Sequence, residues 1–205
     1  ARQVGVDQML VVTPYFDRLK FDDVRRFLGK VVEIAGGPII FYDTPGITGL
    51  DVTEDQMVTL KREGLASHIK DSPQNYTRTM RMLSNPGAPT VLAGSDPALL
   101  AVLAHGAPGT IIGASTFIPE LCVELYDAVV ARDMPRSMEV WSRLWPILNF
   151  MLLNGYVALA KAGSAWRGLD LGQPREPIAA ASPELAARFA AVLEASGVKP
   201  LPKVW

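Results

Sequence analysis

The sequence predicts a parallel α/β protein. Three observations carry that prediction: short apolar runs rich in β-branched residues, helical spacing in the stretches between them, and a repeat of about 20–30 residues per strand-helix unit. Runs of this length without polar alternation suit strands buried on both faces, the signature of a parallel sheet. Strands that alternate with helices argue for crossover units rather than hairpins.

The strands are expected at Met9–Val12, Pro38–Tyr42, Ser67–Ile69, Thr90–Ala93 and Thr110–Ile112. The first interval holds a helix over Phe21–Ala35, which places Phe21, Val24, Phe27, Leu28 and Val31 on one stripe. A second helix over Thr53–Glu63 opens with Thr53 and Gln56 at capping-box spacing. Further helices are expected over Pro97–Leu103, entered through Asp96-Pro97, and over Pro119–Arg132. Beyond residue 132 the character changes to three helical stretches near 136–153, 156–165 and 183–196, joined by a Pro/Gly-rich connection at Leu171–Pro177. The expected organisation is therefore five βα units over 1–132 and a helical subdomain over 133–205. Five strands are either an open sheet or part of a barrel, since a small closed barrel needs eight.

Composition narrows the partners. The 205 residues carry a net charge of −1, so no basic surface argues for nucleic acid or an anionic membrane. No apolar run reaches transmembrane length. One cysteine, Cys122, leaves no internal disulfide and fits a reducing, cytoplasmic setting, where it reads as a buried helix residue. The tryptophans Trp141, Trp145, Trp166 and Trp205 read as core or subunit contacts of the helical tail.

In parallel α/β folds, ligands lie at the carboxyl ends of the strands. Those ends read Thr13-Pro14-Tyr15, Tyr42-Asp43-Thr44-Pro45-Gly46-Ile47-Thr48-Gly49, Lys70-Asp71-Ser72, Gly94-Ser95-Asp96 and Gly113-Ala114-Ser115-Thr116. None contains a G-x-G-x-x-G or a phosphate-binding lysine loop. Lys70 closes a strand that should be buried. Desolvation favours the neutral form of an amine, and the neutral amine attacks a ketone to form an imine. The alternative is a lysine that reaches solvent or pairs with Asp71. Tyr42 ends the preceding strand, and a phenol beside an imine can move protons; a packed rim aromatic is its alternative. His68 shares the face of Lys70 by strand alternation, as a lining residue or a satisfied core histidine. His105 suits a helix end. No Cys/His cluster suggests a metal, and Asp71 and Asp96 stand too isolated for a carboxylate pair.

Taken together, Val11-Val12-Thr13-Pro14-Tyr15, the Tyr42–Gly49 segment, Ile69-Lys70-Asp71, Leu92-Ala93-Gly94-Ser95-Asp96 and Gly109–Gly113 resemble the dihydrodipicolinate synthase / N-acetylneuraminate lyase superfamily of pyruvate-dependent class I aldolases. The resemblance runs over essentially the whole chain. Its most specific part is the tyrosine segment followed by Ile-Lys about 27 residues later. It implies a (β/α)8 TIM barrel, of which this chain holds strands four to eight, with a C-terminal helical subdomain.

Carried over by position, the resemblance implies that Lys70 is the Schiff-base lysine and Tyr42 the proton-relaying tyrosine. Ile111 would place its carbonyl near the bound 2-oxo acid, and Gly94 and Asp96 would help hold the second substrate. The implied activity is a lyase, aldolase or dehydratase acting on a 2-oxo acid such as pyruvate or a 2-keto-3-deoxy sugar acid. It needs no metal or organic cofactor, because the protonated imine is the electron sink. The family is commonly tetrameric, so a homotetramer is implied.

Three departures shape this expectation. Ile47 stands where the synthases place an arginine for a substrate carboxylate, and isoleucine offers no bidentate contact. Phe16 stands where they place an interface tyrosine. The first three βα units, with the Thr-Thr or Ser-Thr pair that binds the pyruvate carboxylate, are absent and are expected to exist in the active enzyme. Two other readings stand beside the lyase: a 4-hydroxy-tetrahydrodipicolinate synthase, and a non-catalytic relative that binds a 2-oxo acid.

Overall fold

Helical and strand spacing become two compact units in the computed structural model, which describes residues 4–73 and 75–201. The first unit spans Ala1–Ile111 and the second Ile112–Trp205. The sequence changes character at 132/133, yet the units divide earlier, because the helix over Pro119–Val130 packs along the one over Met134–Asn154.

The first unit runs β1 (Leu10–Val12), α1 (Phe21–Ala35), β2 (Ile39–Asp43), α2 (Pro45–Thr48), α3 (Glu54–Arg62), β3 (Ala66–Asp71), α4 (Tyr76–Leu83), β4 (Thr90–Ala93) and α5 (Leu99–Ala104). The four strands form one parallel sheet in the order β1-β2-β3-β4. Helix α1 buries Val24 and Leu28 from its predicted stripe and ends at Gly36, whose φ of 70° suits glycine. Helix α3 carries the predicted capping box: the Thr53 amide donates to Gln56 Oε1 at 2.9 Å, and the Gln56 amide donates to Thr53 Oγ1 at 3.3 Å. Helix α4 occupies the interval after Lys70 in which the sequence marked no helix bounds; the Asn75 side chain caps it by accepting from the Thr77 amide at 3.0 Å.

Strand alternation sorts the side chains into two sets. Ile39, Phe41, Ile69 and Val91 are buried and share a core with Val24, Leu28, Met57, Leu60 and Met82. Burial of each large apolar side chain contributes roughly 1.5–3 kcal/mol. Ile40, Tyr42, His68, Lys70 and Leu92 take the intervening positions and are half-buried.

Two expectations need correction. The fifth strand, expected at Thr110–Ile112, is reduced to a single parallel bridge between Ala93 and Thr110. The Ala93 amide donates to the Gly109 carbonyl and the Ile111 amide to the Ala93 carbonyl, but the chain then enters the 3-10 turn Ala114–Thr116 before a ladder can lengthen. The helix expected over Pro97–Leu103 begins as a 3-10 turn, Asp96–Ala98, and becomes α-helical only at Leu99.

The second unit holds α6 (Pro119–Val130), α7 (Met134–Asn154), α8 (Tyr156–Trp166) and α9 (Pro183–Ala195). Helix α7 packs on the other three. Its core includes Leu121, Leu125, Leu144, Leu148, Leu159 and Leu193, and Cys122 is buried there as predicted. Phe189 stacks on Phe150 at 5.6 Å and meets Phe117 edge-on at 5.9 Å. Trp141 and Trp145 lie 5.6 Å apart; Trp205 lies outside the described residues. Among the described residues no helix is long and apolar enough to cross a membrane.

Candidate active site

Strand register brings Tyr42 and Lys70 together. Val12 is paired with Tyr42, Tyr42 with Lys70, and Lys70 with Leu92, so these four form one rung across the sheet near the carboxyl ends. Lys70 Nζ stands 4.0 Å from the centroid of the Tyr42 ring. This is within cation–π range, and both side chains are half-buried. The alternative pairing of Lys70 with Asp71 does not occur, because successive strand residues point to opposite faces.

Gly94 makes room for this lysine. A Cβ at Gly94 would lie 2.9 Å from Lys70 Cγ, 2.9 Å from the Asp71 carbonyl and 2.6 Å from Ser72 Oγ. The glycine also extends the ladder beyond the strand ends: its amide donates to the Asp71 carbonyl at 2.9 Å, and Ser72 Oγ donates to the Gly94 carbonyl at 2.8 Å. Beside it, the hydroxyls of Tyr76 and Ser95 share a hydrogen bond of 2.8 Å.

The opposite side of the same strand ends carries a buried charge cluster that sequence reasoning missed. Asp43 and Asp71 each follow a site residue and are paired in register. Arg78 of α4 donates through Nη2 to Asp43 at 2.5 Å and to Asp71 at 2.6 Å. Through Nη1 it reaches Asp51 at 3.0 Å and the Val52 carbonyl. Thr79 Oγ1 completes the shell by donating to Asp71 at 2.6 Å.

Burial pushes the Asp43 carboxyl up to about 7, against the attraction of Arg78 and with the help of neighbouring Asp71. Burial raises Asp71 as well. Asp71 is thus not isolated, contrary to the sequence expectation. The available signal was the matching position of the two aspartates, one residue beyond Tyr42 and Lys70.

The remaining candidates divide. Ile111 is half-buried and bound by its amide to the Ala93 carbonyl at 2.8 Å, which places it next to the Gly94 strand end. Asp96 is buried at the start of its 3-10 turn. Ile47 sits on α2 with 65% of its surface exposed. Phe16 is 97% exposed in the loop after β1. His68 Nδ1 shares a 2.9 Å hydrogen bond with Ser67 Oγ, a satisfied histidine on the Lys70 face. His105 is exposed at the end of α5. Among the described residues no three His, Cys, Asp or Glu side chains gather as a metal site. A cavity of about 420 Å³ in the second unit is lined mainly by alanines with Lys161, Trp166 and Asp170, and Lys161 Nζ is engaged by the Leu171 carbonyl at 2.6 Å.

A parallel sheet with a lysine and a tyrosine paired near its strand ends defines the class: a parallel α/β protein with an amine at the carboxyl ends of its strands. The chain belongs to the dihydrodipicolinate synthetase family, whose profile matches residues 1–196. The 4-hydroxy-tetrahydrodipicolinate synthase of Acidiphilium cryptum is 31% identical over 97% of this chain and 68% of its own length. The 4-hydroxy-tetrahydrodipicolinate synthase 1 of Streptomyces coelicolor is 31% identical over 91% of this chain and 62% of its own. The crystal structure of dihydrodipicolinate synthase from Aquifex aeolicus aligns with a TM-score of 0.88 at 26% identity, covering 98% of this chain and 69% of that one. The fold is thus part of a (β/α)8 barrel, with C-terminal helices, and the chain spans about two-thirds of the length of the curated relatives it matches.

Proposed function

We propose that Lys70 forms a Schiff base with a 2-oxo acid and that the protein is a class I lyase. The observation that carries this reading is the placement of Lys70 Nζ over the Tyr42 ring on paired strand ends. The Lys70 amine adds to the ketone carbon to give a carbinolamine. Loss of water, with the proton supplied by the Tyr42 phenol, leaves the imine. In cleavage the hydroxyl on the fourth carbon gives up its proton, the bond between the third and fourth carbons breaks to release an aldehyde, and its electron pair moves into the protonated imine to leave an enamine; addition runs these steps in reverse. Gly94, Asp96 and the Ile111 carbonyl border the substrate. The reaction calls on no metal or organic cofactor.

The test is borohydride reduction with pyruvate, read by mass spectrometry on the full-length protein. A reduced pyruvyl adduct on Lys70 is expected, and its absence from folded protein would sink the reading.

Substrate class follows from Ile47. An exposed isoleucine offers no fork for a second carboxylate. A 2-keto-3-deoxy sugar acid or another 2-oxo acid fits better than an aldehyde whose recognition rests on that carboxylate. The second reading, a 4-hydroxy-tetrahydrodipicolinate synthase, is favoured by the names of the relatives. A screen of 2-oxo acids for pyruvate release, beside a synthase assay, separates the two. We further propose a cytoplasmic homotetramer, checked by light scattering of the purified protein and by cell fractionation.

A further inference from the structure

We propose that Arg78 is a positioning residue for Lys70 and Tyr42, acting from the far side of the sheet through Asp43 and Asp71. The inference rests on the Schiff-base reading above.

One guanidinium ties together three segments that the site depends on. Its Nη2 bridges Asp43, at the end of the Tyr42 strand, and Asp71, at the end of the Lys70 strand, at 2.5 and 2.6 Å. Its Nη1 holds Asp51 and the Val52 carbonyl, in the segment that follows α2 and therefore Ile47. Tyr42 shares a peptide bond with Asp43, and Lys70 with Asp71. A shift of either aspartate along its strand must carry the neighbouring site residue with it, and one residue of strand is only about 3.3 Å.

The clamp is under electrostatic demand. Asp43 and Asp71 are each 2% exposed and lie directly opposite one another in register. Without the guanidinium, two buried carboxylates face each other across neighbouring strands, and the strand ends relieve this by separating, slipping or admitting water. A lysine supplies the charge but not the planar fork that reaches three carboxylates and a carbonyl at once. Arg78 is therefore expected to set the relation of amine to phenol, not merely to hold the fold.

The test measures the rate of imine formation per folded molecule, by quenching pyruvate mixtures with borohydride at timed intervals in the full-length protein. Folded fraction is read from circular dichroism and thermal unfolding. Arg78→Lys is expected to fold and to form the Lys70 adduct roughly ten- to a hundred-fold more slowly at saturating pyruvate, as a small misplacement of reacting groups would cause. Asp43→Asn, assayed above pH 7 where the Asp43 carboxyl is charged, keeps shape but removes one charged arm of the bridge and is expected to slow it in the same direction by less. If the Arg78 variant does not fold, the Asp43 variant decides the question by the same rate. Wild-type protein without an adduct overturns the Schiff-base reading and this proposal together. A wild-type adduct, with variants that lose only folded fraction and keep the wild-type rate per folded molecule, overturns the role of Arg78 alone.

Discussion

Lys70 Nζ lies over the face of the Tyr42 ring, 4.0 Å from its centroid, and the two residues are register partners on neighbouring parallel strands. The ring face and the phenol hydroxyl therefore do different things for one amine. The face holds the lysine, and in the proposed mechanism the hydroxyl moves the proton.

Tyr42→Phe keeps the face and removes the hydroxyl. It is expected to leave Lys70 able to form the borohydride-trapped adduct while lowering kcat by roughly 10²–10⁴-fold, the range for loss of one general acid–base group. Lys70→Met should abolish the adduct altogether. Equal adduct yield but unchanged kcat in Tyr42→Phe would remove the phenol from the mechanism.

Gly94→Ala places a methyl group 2.9 Å from Lys70 Cγ and 2.6 Å from Ser72 Oγ. The overpacking should cost about 1–3 kcal/mol of stability. Because Lys70 must move, the rate of adduct formation should also fall. Denaturant unfolding and timed trapping read the two effects separately, and an unperturbed adduct rate contradicts the packing argument.

Asp43 gives stability a pH dependence. In the folded protein it keeps its proton to about pH 7, whereas its ordinary value is 3.8. The folded state therefore binds more protons than the unfolded chain between those values. Stability should fall as pH rises through that window, by at most about 1.4 kcal/mol per pH unit from this group, and level off above it. Asp71, raised by burial as well, adds to the same trend. Asp43→Asn should flatten the curve between about pH 4 and 7, as measured by denaturant midpoints across pH. A variant with the wild-type slope would show that Asp43 does not carry it.

Ile47→Arg tests the basis of substrate choice. Ile47 is 65% exposed, so the change should alter stability by no more than about 0.5 kcal/mol. The new guanidinium can grip a carboxylate on two oxygens. The variant is expected to show a lower KM for an aldehyde bearing a carboxylate and an unchanged KM for one without. A wild type that already saturates with the carboxylated aldehyde as readily as the variant would overturn the reading of this position.

Local chemistry made much of this molecule legible. The apolar stripe of α1, the Thr53–Gln56 capping box and the β-branched runs of β2 and β4 act within a few residues of themselves, so their periodicity survives in the chain as written. The sequence left open a pairing of Lys70 with Asp71; in the structure the Asp71 carboxylate is held by Arg78 and Thr79 instead. The fifth strand misled because Thr110–Ile112 has strand composition, but the length of a ladder depends on how far a partner runs beside it.

The order of strands and helices, the lysine and tyrosine at strand ends, and the family to which those motifs belong are all written in the linear chain. What meets what is a property of the folded arrangement alone. Arg78 lies 35 residues from Asp43 and Gly94 lies 24 from Lys70, yet one bridges the strand ends and the other opens space for the Lys70 side chain. Neither relation leaves a local trace. Each depends on the register of parallel strands, which is set by the packing of the whole sheet against its helices.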